Sequence, residues 1–219
     1  MTHAPTPRFA SVVLDVDSTL CGLEGIDWLA AQRTPDVADR IAELTDRAMA
    51  GDVPLDAVYG ERLTIVRPER DDLAALAAAY VGALAPGAAA SVRRLREAGV
   101  RVAIVSGGLR EAILPLAAHL GVAPDDVRAV GLRLDDAGGY AGHDESSPLA
   151  TADGKRGVIA ALALPRPTLH VGDGATDLAA RPAVDAFAAY VGFVRRAPVV
   201  AAADHVLADF AQLTELVLG

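Results

Sequence analysis

Lysine is almost missing from this chain: one, Lys155, stands against 19 arginines in 219 residues. In a sequence so biased toward arginine, a surviving lysine points to a task that a planar guanidinium fork performs badly. Entering a tight anion site as a compact point charge is such a task. The plainer alternative is chance survival at a solvated surface position. Cysteine is nearly absent too. The single Cys21 excludes an intrachain disulfide and suits a reducing, cytoplasmic setting. Aromatic residues make up 4 % while apolar residues reach 52 %, so the core must be built from alanine, valine and leucine. No apolar run attains the ~18 residues of a membrane span. The segment from Met1 to Arg8 is short and broken by proline, with no apolar signal stretch behind it. Neither a membrane nor an export signal is expected. Positive charge is in deficit, and the net −9 argues against a nucleic-acid partner. It leaves an anionic small molecule open, because a local cluster of cations governs its surroundings within a Debye length of ~8–10 Å. The sequence allows a homodimer without arguing for one.

What is present is an alternation. Ser11-Val12-Val13-Leu14, Val102-Ala103-Ile104-Val105 and Thr168-Leu169-His170-Val171 are short apolar runs, each followed by polar and glycine residues. Such runs predict buried parallel strands. Helical patterns lie between them at 88–98, 109–120 and 155–164, ended by Gly99, Gly121 and Pro165. The pattern predicts an α/β fold with a doubly wound, Rossmann-like parallel sheet. The stretch 21–85 breaks it. That stretch is helical throughout, with turn signals at Pro35, Gly51-Asp52-Val53-Pro54 and Pro68-Glu69 and helical spacing in Leu73, Leu76 and Tyr80. It predicts a helical cap inserted after the first strand, leaving 8–20 and 86–219 as the catalytic core. A smaller insertion is expected at 132–144, where Asp136-Ala137-Gly138-Gly139 predicts the turn of a β-hairpin flap.

In doubly wound sheets the ligand lies outside the carboxyl ends of the strands. Asp15, Asp17, Ser106, Asp173 and Asp177 all follow such ends and should surround one point. Carboxylates crowded in this way need a cation. Hard oxygen donors with no histidine or cysteine at ligand spacing point to magnesium. His170, inside a strand, is expected in the core or behind the site. A metal-held aspartate beside Lys155 and Ser106 suggests phosphoryl transfer through an aspartyl-phosphate. Asp17 would protonate the leaving alkoxide and later deprotonate the attacking water.

Asp15-Val16-Asp17-Ser18-Thr19, Val105-Ser106-Gly107-Gly108, Gly154-Lys155-Arg156-Gly157 and Gly172-Asp173-Gly174-Ala175-Thr176-Asp177 occur in an order that resembles the haloacid dehalogenase superfamily. Glu24-Gly25-Ile26-Asp27, Arg47-Ala48-Met49-Ala50-Gly51, Gly60-Glu61-Arg62-Leu63-Thr64 and Tyr140-Ala141-Gly142-His143-Asp144-Glu145 resemble the phosphoserine phosphatase family within it. The resemblance implies a magnesium-dependent hydrolase of O-phosphoserine, serving serine biosynthesis. It implies Asp15 as nucleophile and Asp17 as general acid and base. Ser106 and Lys155 would hold the phosphate, with Gly107, Gly108 and Thr176 also against the substrate. Asp15, the backbone carbonyl of Asp17, and Asp173 would hold Mg2+, while Asp177 and Thr19 orient the site. Glu24 would meet the substrate ammonium and Arg62 its carboxylate, a division that also follows from ion-pair chemistry. Glu24 and Arg62 as plain surface charges remain the bland alternative.

Leu55 stands where the family commonly has an aromatic residue, which leaves selectivity more open. With only about ten residues before the first strand, no N-terminal regulatory domain is expected. The cap is expected to move about hinges near 19–22 and 85–87. Arg195-Arg196 reads as a solvated turn. Competing readings are a phosphatase or phosphotransferase for another small monoester, a phospho-accepting signalling domain, and dehalogenase chemistry. The last two have no need of Asp17.

Overall fold

The run Ser11-Val12-Val13-Leu14 forms β1 (Ser11–Leu14), and every residue of it is buried. Apolar side chains on both faces suit a strand covered by helices on both sides. A computed structural model describes residues 6–50, 53 and 55–219. The turn signal at Gly51, Asp52 and Pro54 lies outside them, as do the side chains of Met49 and Leu55. Beyond β1 come α1 (Gly25–Ala31), α2 (Pro35–Ala50), α3 (Leu55–Val66) and α4 (Arg70–Gly82). The alternation then begins with α5 (Ala88–Glu97), β2 (Arg101–Leu109), α6 (Arg110–His119) and β3 (Val127–Val130). A hairpin of β4 (Leu132–Leu134) and β5 (Tyr140–His143) follows, then α7 (Gly154–Ala161), β6 (Thr168–Gly172) and α8 (Ala175–Ala179). The chain closes with β7 (Ala186–Tyr190), α9 (Ala197–Ala202), β8 (His205–Leu207) and α10 (Phe210–Leu218).

Six strands form one sheet in the order β3-β2-β1-β6-β7-β8, and each neighbouring pair is parallel. The chain builds outward from β1 on one side and then restarts at β6 on the other. The crevice between β1 and β6 is therefore the topological switch point, where such sheets place their ligands. The second strand is longer than its apolar run predicts. It continues through Ser106, Gly107 and Gly108 to Leu109, with its register against β3 shifted between Val105 and Leu109. The glycines let the strand deform instead of ending it. The hairpin β4–β5 is antiparallel, as the turn chemistry predicts.

The helices of 21–85 enter and leave through paired stems. Gly22 N–H donates to Ala83 O at 2.9 Å and Ala85 N–H to Leu20 O at 2.8 Å. Cys21 Sγ donates to Tyr80 O at 3.2 Å. The last of these helices, α4, packs along α6 of the sheet layer as well as against α1. Its buried face is Leu73, Leu76, Ala77 and Tyr80, the stripe that the sequence spacing predicts. Among the described residues no helix is long and apolar enough to cross a membrane.

Candidate active site

The first strand delivers Asp15 directly. Asp15 N–H still donates to Val171 O of β6 at 3.0 Å, so the backbone is fixed in the sheet ladder where the carboxylate turns into the crevice. The strand β6 ends at Gly172 and presents Asp173. One turn later Asp177 folds back under the strand end, its Oδ2 accepting Gly174 N–H at 3.0 Å. Room for that carboxylate exists because residue 172 lacks a side chain. A Cβ there would stand 2.1 Å from Asp177 Cγ.

Lys155 enters from the first turn of α7 and is 4 % exposed. Its Nζ donates to Asp15 Oδ1 at 2.7 Å and to Asp177 Oδ1 at 2.6 Å. His170 sits beneath, with Nε2 3.1 Å from Asp177 Oδ1 and Nδ1 3.2 Å from Val13 O. Asp173 accepts Thr19 Oγ1 on one oxygen at 3.2 Å and Arg196 Nε on the other at 3.0 Å. Oxygens of Asp15, Asp173 and Asp177 lie within 4.8 Å of one another. Three buried carboxylates face one ammonium and one guanidinium, one positive charge short of neutrality. This oxygen-only donor set fits a hard divalent cation.

Asp17 faces the other way, toward the helices of 21–85. Its Oδ1 accepts Tyr80 OH at 2.7 Å and Gly25 N–H at 3.3 Å. Ser18, at a left-handed φ of 52°, turns its hydroxyl to Glu24 Oε1 at 2.7 Å. Ser106 is buried at the end of the apolar part of β2, where its Oγ accepts Gly108 N–H at 3.0 Å. Tyr59 OH donates to Gly107 O at 2.6 Å. Arg62 reaches Asp27 Oδ2 with one nitrogen at 2.7 Å, while its Nε is buried without a partner among the described residues. Thr176 is half-buried in the first turn of α8. A cavity of about 580 Å³ opens between α3 and the β4–β5 hairpin, lined by Tyr59, Arg67, Arg133, Tyr140 and His143. Neither Asp15 nor Lys155 borders it; the ring of Tyr59 stands between that cavity and the glycines of β2.

The electrostatics follow the crowding. Burial, and then the charge of Asp177, holds Asp15 well above the usual carboxylate range in spite of Lys155. Burial and the Asp177 charge also raise Asp173, with Arg196 pulling against them. Burial works against ionisation of Asp177 as well, but Lys155 and the bond from His170 outweigh it and hold that carboxyl below its ordinary value. Lys155 is raised, because Asp15 and Asp177 overcome the burial that would lower it. Asp17 is pushed up to about 7 by burial and by Glu24, against the bonds from Tyr80 and Gly25. Glu24 is exposed along one edge and crowded on the other. Its own desolvation, with the charges of Asp173 and Asp27, raises it.

The carboxylates that the sequence reading directs to one point are divided between two neighbouring places. Asp15, Asp173 and Asp177 meet around Lys155. Asp17 lies beside them, in contact with Tyr80 and near Ser106: the hydroxyls of Tyr80 and Ser106 are each 3.3 Å from where a Cβ on Gly108 would stand. Glu24 and Arg62 are engaged by protein partners, Ser18 and Asp27. One expectation is overturned. Arg196 does not belong to a solvated turn; its guanidinium is drawn inward by the buried Asp173 carboxylate. No sequence motif marks Tyr80, Tyr59 or Arg196 as a site residue. Only the rarity of tyrosine, four in the chain, could have drawn attention to the first two.

Comparison with known proteins bears on this geometry. The family model of the haloacid dehalogenase-like hydrolases matches residues 9–185. Human phosphoserine phosphatase is 39 % identical over 206 residues, covering 93 % of this chain and 91 % of that protein. The chloroplastic phosphoserine phosphatase of Arabidopsis thaliana is 34 % identical over 208 residues, covering 93 % of this chain and 70 % of its own. The crystal structure of a phosphoserine phosphohydrolase-like protein from Francisella tularensis superposes with a TM-score of 0.82 at 25 % identity, covering 94 % of this chain and 98 % of that one. With its acidic cluster at the switch point of a doubly wound sheet, the chain belongs to the haloacid dehalogenase-like hydrolases and, within them, to the phosphoserine phosphatase family.

Proposed function

We propose that this chain hydrolyses O-phosphoserine to serine and phosphate through an aspartyl-phosphate on Asp15. The observation that carries the reading is the buried Lys155 ammonium held between Asp15 and Asp177 at the carboxyl ends of β1 and β6. A carboxylate fixed at a switch point beside a cationic anion site is arranged to take a phosphoryl group. The names of the relatives supply the substrate.

Asp15 attacks phosphorus, and the bond between phosphorus and the seryl oxygen breaks. Asp17 delivers its proton to that oxygen as serine departs. Asp17 then takes a proton from the water that attacks the aspartyl-phosphate, which releases inorganic phosphate and restores Asp15. A carboxyl pushed up to about 7 suits both duties near neutral pH. Lys155, Ser106 and the backbone around Gly107 and Gly108 receive the phosphoryl oxygens, with Thr176 at the rim. Asp15, Asp173 and the backbone carbonyl of Asp17 would hold Mg2+, which when bound supplies the positive charge that the cluster lacks. Asp177, with both oxygens already bonded, fixes Lys155 in place, and Thr19 fixes Asp173. Glu24 meets the substrate ammonium and Arg62 its carboxylate, each exchanging a protein partner for the substrate. Residues 21–85 act as the cap and 132–144 as the flap. A reducing, cytoplasmic setting agrees with the one cysteine being a buried free thiol.

The test is a panel of phosphoserine, phosphothreonine and sugar phosphates compared by kcat/KM, with and without magnesium after chelation. Phosphoserine should lead, and only with the metal. Turnover undiminished by chelation, or a sugar phosphate that outruns phosphoserine, would overturn the reading.

A further inference from the structure

We infer that Tyr80 is a positioning residue for Asp17, pinning one carboxyl oxygen so that the other is the one that carries the proton to the leaving group. The inference rests on the proposed role of Asp17 as general acid and base. Tyr80 is fully buried, with a relative exposure of 0 %, so its hydroxyl has no water to turn to. It donates to Asp17 Oδ1 at 2.7 Å, and Gly25 N–H approaches the same oxygen at 3.3 Å. No bond to Asp17 Oδ2 occurs among the described residues. Two donors on Oδ1 leave no place for a carboxyl proton there, so the proton resides on Oδ2. Rotation of the carboxyl group would break both bonds, so the acidic oxygen keeps one direction.

The surroundings favour this contact. A Cβ on residue 25 would stand 2.2 Å from the Tyr80 hydroxyl, so only glycine lets the ring reach Asp17. The support does not hang on a mobile tip. Tyr80 lies on α4, which packs along α6, and the Tyr80 carbonyl accepts the Cys21 thiol at the paired stems. Burial and the Asp17 charge hold the phenol well above its ordinary pKa, so it stays a donor throughout the cycle.

A positioning role and a general packing role differ in their dependence on the leaving group. Seryl alkoxide needs a proton on departure; p-nitrophenolate and acetate do not. The experiment is the rate of the first turnover, by rapid quench, for Tyr80→Phe and wild type. One substrate is phosphoserine. The other is whichever of p-nitrophenyl phosphate and acetyl phosphate the wild type accepts. General acid catalysis contributes roughly 10²–10⁴-fold, so misdirecting the acid should slow phosphoserine about tenfold or more and the activated substrate less than about twofold. The KM for phosphoserine should hold, and Tyr80→Phe should add no further loss in an Asp17→Asn background. Gly25→Ala, which pushes the hydroxyl away without altering the ring, should show the same leaving-group selectivity and decides the matter if Tyr80→Phe does not fold. Equal slowing of both substrates, or no slowing of either, overturns the inference. A wild type that turns over no phosphoserine with magnesium overturns the proposed function instead.

Discussion

Lys155→Met tests how the site is held together, because it keeps the stem of the side chain and deletes the charge. Lys155 is 4 % exposed and its ammonium lies within 2.7 Å of two carboxylates. Removing one partner of a buried ion pair leaves the other uncompensated, at a cost of about 3–5 kcal/mol. Unfolding entropy near 60 °C is about 2.1 cal/mol/K per residue, which over 219 residues gives about 0.46 kcal/mol/K. The melting temperature should therefore fall by about 7–11 °C in chelator near neutral pH, read by calorimetry. Acidification supplies an independent sign. In the wild type Asp177 is held below its ordinary value, so its contribution is present at neutral pH and lost as the solution is taken below about pH 4. Asp15 already lies above the unfolded value of about 3.9 with Lys155 present and rises further without it, while Asp177, freed of Lys155, is left to the burial and repulsion that raise it. The folded variant then binds protons more tightly than the unfolded chain, and its stability rises as pH is lowered from about 7 toward 5. The gap between variant and wild type should narrow over that range. A drop of less than about 2 °C, or a gap that widens on acidification, would refute the view that Lys155 neutralises the cluster.

Asp15→Asn should abolish turnover and leave no phosphorylated protein in mass spectra of acid-quenched reactions; retained activity would remove Asp15 as nucleophile. Arg62→Ala should raise KM for phosphoserine by about 10–150-fold, the worth of a charged hydrogen bond of about 1.5–3 kcal/mol, while esters without a carboxylate are barely affected. A uniform effect on all esters would make Arg62 a structural residue. Magnesium at about a hundredfold its dissociation constant should stabilise the chain by about 2.7 kcal/mol, a rise of about 6 °C. Asp173→Asn should abolish that rise, and an unchanged rise would place the ion elsewhere.

The strand ends were legible because each couples a β-branched run to the polar residue just past it, and the topology of parallel sheets gathers such residues on one edge. Asp15, Ser106 and Asp173 followed from that reasoning. The strand Ala186–Tyr190 escaped it. Its alanines have little β-propensity, and only burial between β6 and β8 holds them extended. In the sequence Tyr80 is one more step of the stripe after Leu73 and Leu76. Helical periodicity reports which face of α4 is buried, and says nothing about a hydroxyl that crosses to Asp17. Arg196 is hidden for a similar reason. Charged side chains are usually solvated, and nothing local to Arg195-Arg196 reveals a carboxylate 23 residues earlier in the chain.

Gly172 has a wider bearing. A methyl group there would stand 2.1 Å from the Asp177 carboxyl carbon. Alanine, on which this sequence draws heavily, is otherwise the mildest exchange for glycine in a buried strand. Here it would evict an acid, and the displaced acid would release its hold on the ammonium. Mutational drift at this codon thus meets the space that Asp177 already fills, and the acidic cluster depends as much on a side chain left out at residue 172 as on the groups that surround it.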